Sequence, residues 1–185
     1  MIQEVVVIVV EVDVETKFFA GIGSRETPVK VLKMMGKLST YLTELGYTLR
    51  SGHADGADMA FEQSAKSAHI FLPWRGFNCQ INKPLPDHKH FVVLPSDKEA
   101  LSSVYKFHPK PSALSPGAIK LMARNYRQIV GQNLPNSEFV ICWTSDGGYT
   151  GGTAQAMKIA DSLNIPVYNL FNEDVYDLIL SKEMK

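Results

Sequence analysis

Three times in this chain a short apolar run empties into glycines and small polar residues and then opens a helical pattern. Lys17-Phe18-Phe19-Ala20-Gly21-Ile22-Gly23 passes through Ser24-Arg25-Glu26 to Thr27-Pro28, a hydroxyl N-cap with proline at the first helical position. Tyr47-Thr48-Leu49-Arg50 passes into Ser51-Gly52-His53-Ala54-Asp55-Gly56-Ala57-Asp58 and a helix from Ala57 to Ala68. Phe139-Val140-Ile141-Cys142-Trp143 passes into Thr144–Thr153, a run carrying Gly147, Gly148, Gly151 and Gly152, and then a helix from Ala154 to Leu163. Strands that alternate with helices predict an α/β fold with a mostly parallel sheet, helices on both faces and right-handed crossovers. In such sheets ligands bind beyond the carboxyl ends of the strands. Residues 21–27, 50–58 and 144–153 are therefore expected at one edge.

The remaining pattern fills in around these junctions. Val31, Leu32, Met35, Leu38, Leu42 and Leu45 recur at helical spacing, and Gly46 closes that helix. His69–Pro73 reads as a third strand, Ala118–Val130 as a helix, Pro166–Leu170 as a strand and Val175–Leu180 as a final helix. Between Trp74 and Ser115 the periodicity fails, broken by Pro84, Pro86, Pro95, Pro109 and Pro111. A structureless loop of that length is unusual in a compact domain, so an irregular insertion at about 75–115 is expected to hold a short element of its own or a lid, with a helical turn or two at Leu101–Phe107. The β-branched stretch Met1–Val10 predicts an extra N-terminal strand. It lacks a basic leader and a cleavage site, and its apolar run gives way to Glu11, Asp13 and Glu15. It is also too short to span a bilayer. The length of 185 residues suits one domain, 1–185.

Charge narrows the choice of partners. Lys+Arg and Asp+Glu stand at 19 each, so no global basic field draws nucleic acid. A nucleic-acid reading then needs a local groove, for which Arg25, Arg50, Arg75, Arg124 and Arg127 are the available cations. Two cysteines, Cys79 and Cys142, fit a reduced, cytoplasmic protein. Asp87-His88-Lys89-His90, with Cys79 and His108, matches no zinc spacing and reads as a solvated loop; no metal and no cofactor are expected.

Glycines let a backbone approach a ligand closely, and the first N–H groups of a helix carry partial positive charge toward it. Thr150, Gly151, Gly152 and Thr153 thus form an expected phosphate cradle, against the alternative of a turn with no ligand. Arg25, just after Gly23 and Ser24, is placed for a forked phosphate contact; its alternative is a surface ion pair. In the second turn Ser51, Gly52, His53, Gly56 and Asp58 are ligand candidates. Asp58 equally suits a helix first turn, and Asp55 a turn bonded to its own backbone. Arg124 and Asn125 either touch a ligand or tie their helix to a neighbouring loop. Trp74 and Trp143 read as core or as base-stacking rings.

Gly23-Ser24-Arg25, Ser51-Gly52-x-Ala54-x-Gly56-x-Asp58, Arg124-Asn125-x-x-Gln128-Ile129-Val130-Gly131 and Thr150-Gly151-Gly152-Thr153-Ala154, in that order, resemble the motifs of the DprA/Smf family. The likeness runs over about residues 18–170 and extends to the wider SLOG group, which includes the LOG-type nucleotide phosphoribohydrolases. It implies a three-layer Rossmann-like fold, a nucleotide ligand bound by Gly23, Ser24, Arg25, Ser51, Gly52, His53, Gly56, Asp58, Arg124, Asn125 and Thr150–Thr153, and pairing into a homodimer. Two departures matter. DprA proteins carry further domains, for which this chain has no room, and its charge is balanced. LOG enzymes carry a glutamate three residues past the Gly-Thr threonine, where this chain has Ala156. A methyl group neither stabilises oxocarbenium-like charge nor activates water. The resemblance then supports a protein that captures a nucleotide or an ADP-ribose-like phosphate ligand as sensor, carrier or sequestering module. One alternative is a nucleoside 5′-monophosphate phosphoribohydrolase that recruits Asp58 or Asp55, or else Glu26 or Asp146. The other is a DprA-like binder of single-stranded DNA.

Overall fold

The computed structural model describes residues 16–79, 89–93 and 97–181. The strands are β1 (Lys17–Gly21), β2 (Tyr47–Ser51), β3 (Ala68–Leu72), β4 (Lys89–Val93), β5 (Phe139–Cys142) and β6 (Val167–Asn169). The helices are α1 (Val29–Glu44), α2 (Ala57–Ser64), α3 (Lys98–Phe107), α4 (Pro116–Ile129), α5 (Thr153–Ser162) and α6 (Asp174–Ser181). The strands form a six-stranded sheet in the order β4-β3-β2-β1-β5-β6. Every pairing in it is parallel.

Strand periodicity sorts the core into two faces. Phe19, Leu49, Ile70, Phe139 and Ile141 point to one side, where Met35, Leu38 and Leu42 of α1, Phe61 of α2 and Ile179 of α6 cover them. Ala20, Ile22, Val140 and Cys142 point to the other, against Ile129 of α4 and Ala156, Ile159 and Ala160 of α5. Ala100 and Val104 of α3 pack on Ala123 of α4 and extend that second layer. The order of strands reverses direction at β1, which lies between β2 and β5. The loops after β1, β2 and β5 therefore meet where a doubly wound sheet opens its ligand crevice.

Local chemistry shifts several expected boundaries. Thr27 does not cap α1: its hydroxyl donates to the Ser24 carbonyl at 2.7 Å, and Pro28 takes the N-cap position. α2 stops at Ser64 because Ala65 is already extended, at φ −76° and ψ 136°. The insertion is more regular than its prolines suggest. It supplies the edge strand β4, and α3 runs for 10 residues because Asp97 caps it by accepting from the Ala100 N–H at 3.0 Å. The added strand expected at 1–10, and Asp87 and His88 of the histidine cluster, lie outside the described residues.

Candidate functional site

A cavity of about 460 Å³ lies at the crevice between the loops after β1 and β5. Its walls come from four places in the chain. The β1–α1 loop gives Gly23, Ser24, Arg25 and Glu26; the β2–α2 turn and the start of α2 give Ala54 and Asp58. α4 gives Leu121, Met122, Arg124, Asn125 and Gln128, and the β5–α5 junction gives Thr144, Ser145, Thr150–Thr153 and Ala156. The rim is exposed at Arg25, Glu26, Ser145, Thr150 and Gly151. The deep end is closed by Ile22, Gln128 and Ala156, which are 3%, 1% and 1% exposed.

One wall is an ion pair. Arg124 reaches from α4 across Gly52, and its Nη1 donates to Asp58 Oδ2 at 2.9 Å, with both side chains almost fully buried. A Cβ on Gly52 would stand 1.5 Å from that Nη1, so only glycine leaves the passage open. Burial pushes the Asp58 carboxyl up and the Arg124 guanidinium down, and the attraction between them opposes both shifts. The Ala54 N–H also donates to Asp58, at 3.4 Å.

The opposite wall is the glycine segment. Asp146 organises it, accepting from the Gly148 N–H at 2.9 Å and from the Thr150 hydroxyl at 3.0 Å; these bonds hold its carboxyl below the usual range. Tyr149 donates its hydroxyl to Asp161, which fastens the loop along the outside of α5. Gly151 takes φ +62°, a left-handed conformation natural to glycine, and no atom lies within 4 Å of where its Cβ would be. Gly152 is the N-cap of α5, and no side chain caps the helix there. The Ala154 N–H turns back to the Gly151 carbonyl at 3.4 Å, and Gly152 and Thr153 bring this helix end, with its partial positive charge, to the cavity. Asn125 ties this wall to α4, donating from Nδ2 to the Gly152 carbonyl at 3.0 Å.

The candidates named from sequence separate into two sets. Gly23, Ser24, Arg25, Asp58, Arg124, Asn125, Thr150, Gly151, Gly152 and Thr153 line the cavity. Ser51, Gly52, His53, Asp55 and Gly56 do not, because they are engaged with the protein itself. The Ser51 hydroxyl donates to the Gly21 carbonyl at 2.7 Å. Buried His53, at φ +60°, places Nδ1 2.8 Å from Glu62 Oε2. Asp55 accepts from Asn78 Nδ2 at 2.9 Å on the surface. A Cβ on Gly56 would meet the Arg25 backbone at 2.7 Å. Leu121 and Met122 also line the cavity and were missed, since on an amphipathic helix they look like core or solvent positions. Gln128 entered only as part of the Arg124–Gly131 motif, although it stands four residues after Arg124, on the same face.

Arg50 and Arg127 do not extend a groove from this cavity. Arg50 is fully buried, its guanidinium 3.8 Å from the centre of the Phe18 ring, and burial with Arg127 nearby brings its pKa down to about 10. Arg127 is held by Asp97 at 2.5 and 2.9 Å and by Glu99 at 2.7 Å. Trp143 is buried in the core, and Trp74 packs edge-on against Phe77. Among the described residues no group of three or more His, Cys, Asp or Glu side chains is placed to hold a metal ion. No described helix is long and apolar enough to cross a membrane.

No protein-family profile matches the chain, and no curated protein matches it in sequence. A solved structure does. DNA processing protein A from Helicobacter pylori, described for its single-stranded DNA binding mode, superposes with a TM-score of 0.60 over 90% of this chain and 81% of that one. The sequences are 15% identical. The likeness shows the fold. It agrees with the DprA-like, Rossmann-type architecture that the ordered motifs imply.

Proposed function

We propose that this protein binds a nucleotide or an ADP-ribose-like phosphate ligand and holds it without cleaving it, as a sensor, carrier or sequestering module. The observation that carries this reading is the uncapped N-terminus of α5, open with Gly151 and Gly152 onto a closed-ended cavity that also receives Arg25. A phosphate there meets helix N–H groups and a cation whose side chain makes no hydrogen bond or ion pair with the described residues. The volume, about 460 Å³, is of the size that encloses a small-molecule ligand.

Cleavage of an N-glycosidic bond lacks the LOG-type glutamate, and Glu26, the other lining carboxylate besides Asp58, stands exposed at the rim. Ala156 lines the cavity where the LOG-type glutamate is expected. Asp58, the carboxylate deepest in the cavity, is committed to Arg124 and to the Ala54 N–H, and Asp55 lies outside the cavity. Titration calorimetry with nucleoside monophosphates and ADP-ribose, run beside a chromatographic assay for free base, tests both halves. Binding with no base released is the expected result. Turnover abolished by Asp58→Asn would overturn the binding-only reading, and no binding by any phosphate compound would overturn the site.

A DprA-like interaction with single-stranded DNA is the second reading, favoured by the fold shared with the Helicobacter pylori protein. It requires a gel shift that weakens steeply with salt, because phosphate contacts release counterions. The absence of any shift at low salt would sink it.

A further inference from the structure

Resting on the nucleotide reading, we propose that Arg124 holds Asp58 with Nη1 while presenting Nη2 to the ligand's phosphate, and that Asp58 is the positioning residue that aims it. The three nitrogens of this guanidinium stand in different surroundings. Nη1 donates to Asp58 Oδ2 at 2.9 Å. Nε is sealed from water without a partner. Nη2 makes no hydrogen bond with the described residues, yet water is not shut out from it. Arg124 lines the cavity and keeps 8% of its side chain exposed, so Nη2 is the donor of this buried ion pair that a ligand can reach.

The direction of that donor is fixed from two sides. A guanidinium is a flat, rigid fork, so holding one arm sets the line of the other. Asp58 holds the Nη1 arm, and the Ala54 N–H donates to the same Oδ2 at 3.4 Å, which steadies the carboxylate in turn. Gly52 seats the rest of the fork: a Cβ there would stand 2.5 Å from Arg124 Cζ and 2.7 Å from its Cδ. Charge then calls for an anion. Burial is the main force that lowers the Arg124 pKa, and the Arg25 charge acts in the same direction, so the two lining cations sense each other. Asp58 offsets one of them, while Glu26, the other lining carboxylate, stands exposed at the rim. A phosphate between Arg25 and Nη2 supplies negative charge and accepts a charge-assisted hydrogen bond from each. Because Asp58 orders Arg124 before the ligand arrives, little side-chain freedom is lost on binding.

The test is calorimetry on the full chain with two pairs of compounds, AMP against adenosine and UMP against uridine, each pair differing only in the phosphate. The affinity ratio within a pair isolates the phosphate contacts, whereas a disturbed fold weakens both members alike. Arg124→Lys keeps the charge and a bond to Asp58 but has no second arm, and should lower the ratio about tenfold. Asp58→Ala removes the aim and should lower it by a similar factor. Asp58→Asn keeps an oxygen acceptor in the same place and should restore the ratio to within about threefold of the parent. Where urea unfolding shows that Asp58→Ala does not fold, Arg124→Lys and Asp58→Asn carry the comparison. An unchanged ratio in Arg124→Lys would overturn the contact, as would nucleotides that bind the parent no more tightly than their nucleosides. A ratio in Asp58→Asn as low as in Arg124→Lys would overturn the positioning role. Failure of all four compounds to bind would overturn the nucleotide reading itself.

Discussion

The turns 51–58 and 144–153 look alike as sequence, since each is a strand running through glycines and hydroxyls into a helix, yet the fold uses them in opposite ways. The first is filled by its own protein. Arg124 lies across Gly52, His53 meets Glu62, and Ser51 bonds to the Gly21 carbonyl. The second is open at its helix end: Phe171 closes over Gly147, where a Cβ would meet it at 2.7 Å, but Gly151 has nothing near its missing side chain, and Gly152 has only Met122 at 3.8 Å. Glycine permits close approach in both cases, but what approaches differs: an arginine of the same chain in one, free space for a ligand in the other. α4 joins the two, because adjacent residues serve them separately. Arg124 closes the first turn and Asn125 steadies the second.

The sharpest way to break that comparison is to add a side chain to each turn. In Gly52→Ala the new methyl would stand 1.5 Å from Arg124 Nη1, so the guanidinium must leave and Asp58 is stranded in the interior. Removing one partner of a buried ion pair destabilises by about 3–5 kcal/mol. Urea unfolding should report a loss of that order. Gly152→Val, at ordinary φ −67° with its nearest neighbour at 3.8 Å, should change stability by no more than about 1 kcal/mol. It should nonetheless abolish nucleotide binding by calorimetry. Equal destabilisation by the two substitutions would end the distinction between a filled and an open turn.

This contrast also marks how far the sequence could be read. The alternation of β1, α1, β2, α2 and β3, and later of α4, β5, α5 and β6, is legible because short apolar runs and 3.6-residue spacing are local properties. The convergence of residues 23–25 and 150–153 followed from strand order, which the parallel pattern constrains. Which glycine turn stays open was not legible, because it depends on Arg124, which is 72 residues from Gly52 along the chain. His53 and Asp55 read as site residues for the same reason: their partners Glu62 and Asn78 are set by tertiary packing. Strand β4 was hidden between prolines, since an edge strand pairs on one side and tolerates such neighbours.

A smaller effect tests the third tie that α4 makes. Arg127 holds the Asp97 carboxyl below the usual carboxylate range, chiefly by direct hydrogen bonding. A carboxyl whose folded pKa is depressed adds stability that is fully present above its unfolded pKa of about 4. That contribution fades as pH falls through this value toward the folded one. Stability should therefore hold from neutrality to about pH 5 and then decline, with a contribution of about 2 kcal/mol for a charged hydrogen-bonded pair. Arg127→Met should flatten this acid limb while leaving the open turn able to bind nucleotide. An unchanged acid limb in Arg127→Met would detach α3 from this account, and lost binding would show that the tie reaches the cavity.

The finest comparison sets one hydroxyl of each turn against the other. Ser51 donates to a buried carbonyl at 2.7 Å, so Ser51→Ala should cost about 1 kcal/mol in urea unfolding and leave nucleotide affinity unchanged. Thr150 donates at 3.0 Å to Asp146 on the exposed rim, where water replaces the bond readily. Thr150→Val should leave thermal unfolding unmoved. Its effect belongs to the ligand: without the bond to Asp146 the loop loses part of its fixed shape, and ordering it on binding weakens affinity a few-fold. A Thr150 variant that melts early and binds normally, beside a Ser51 variant that does the reverse, would exchange the roles of the two turns.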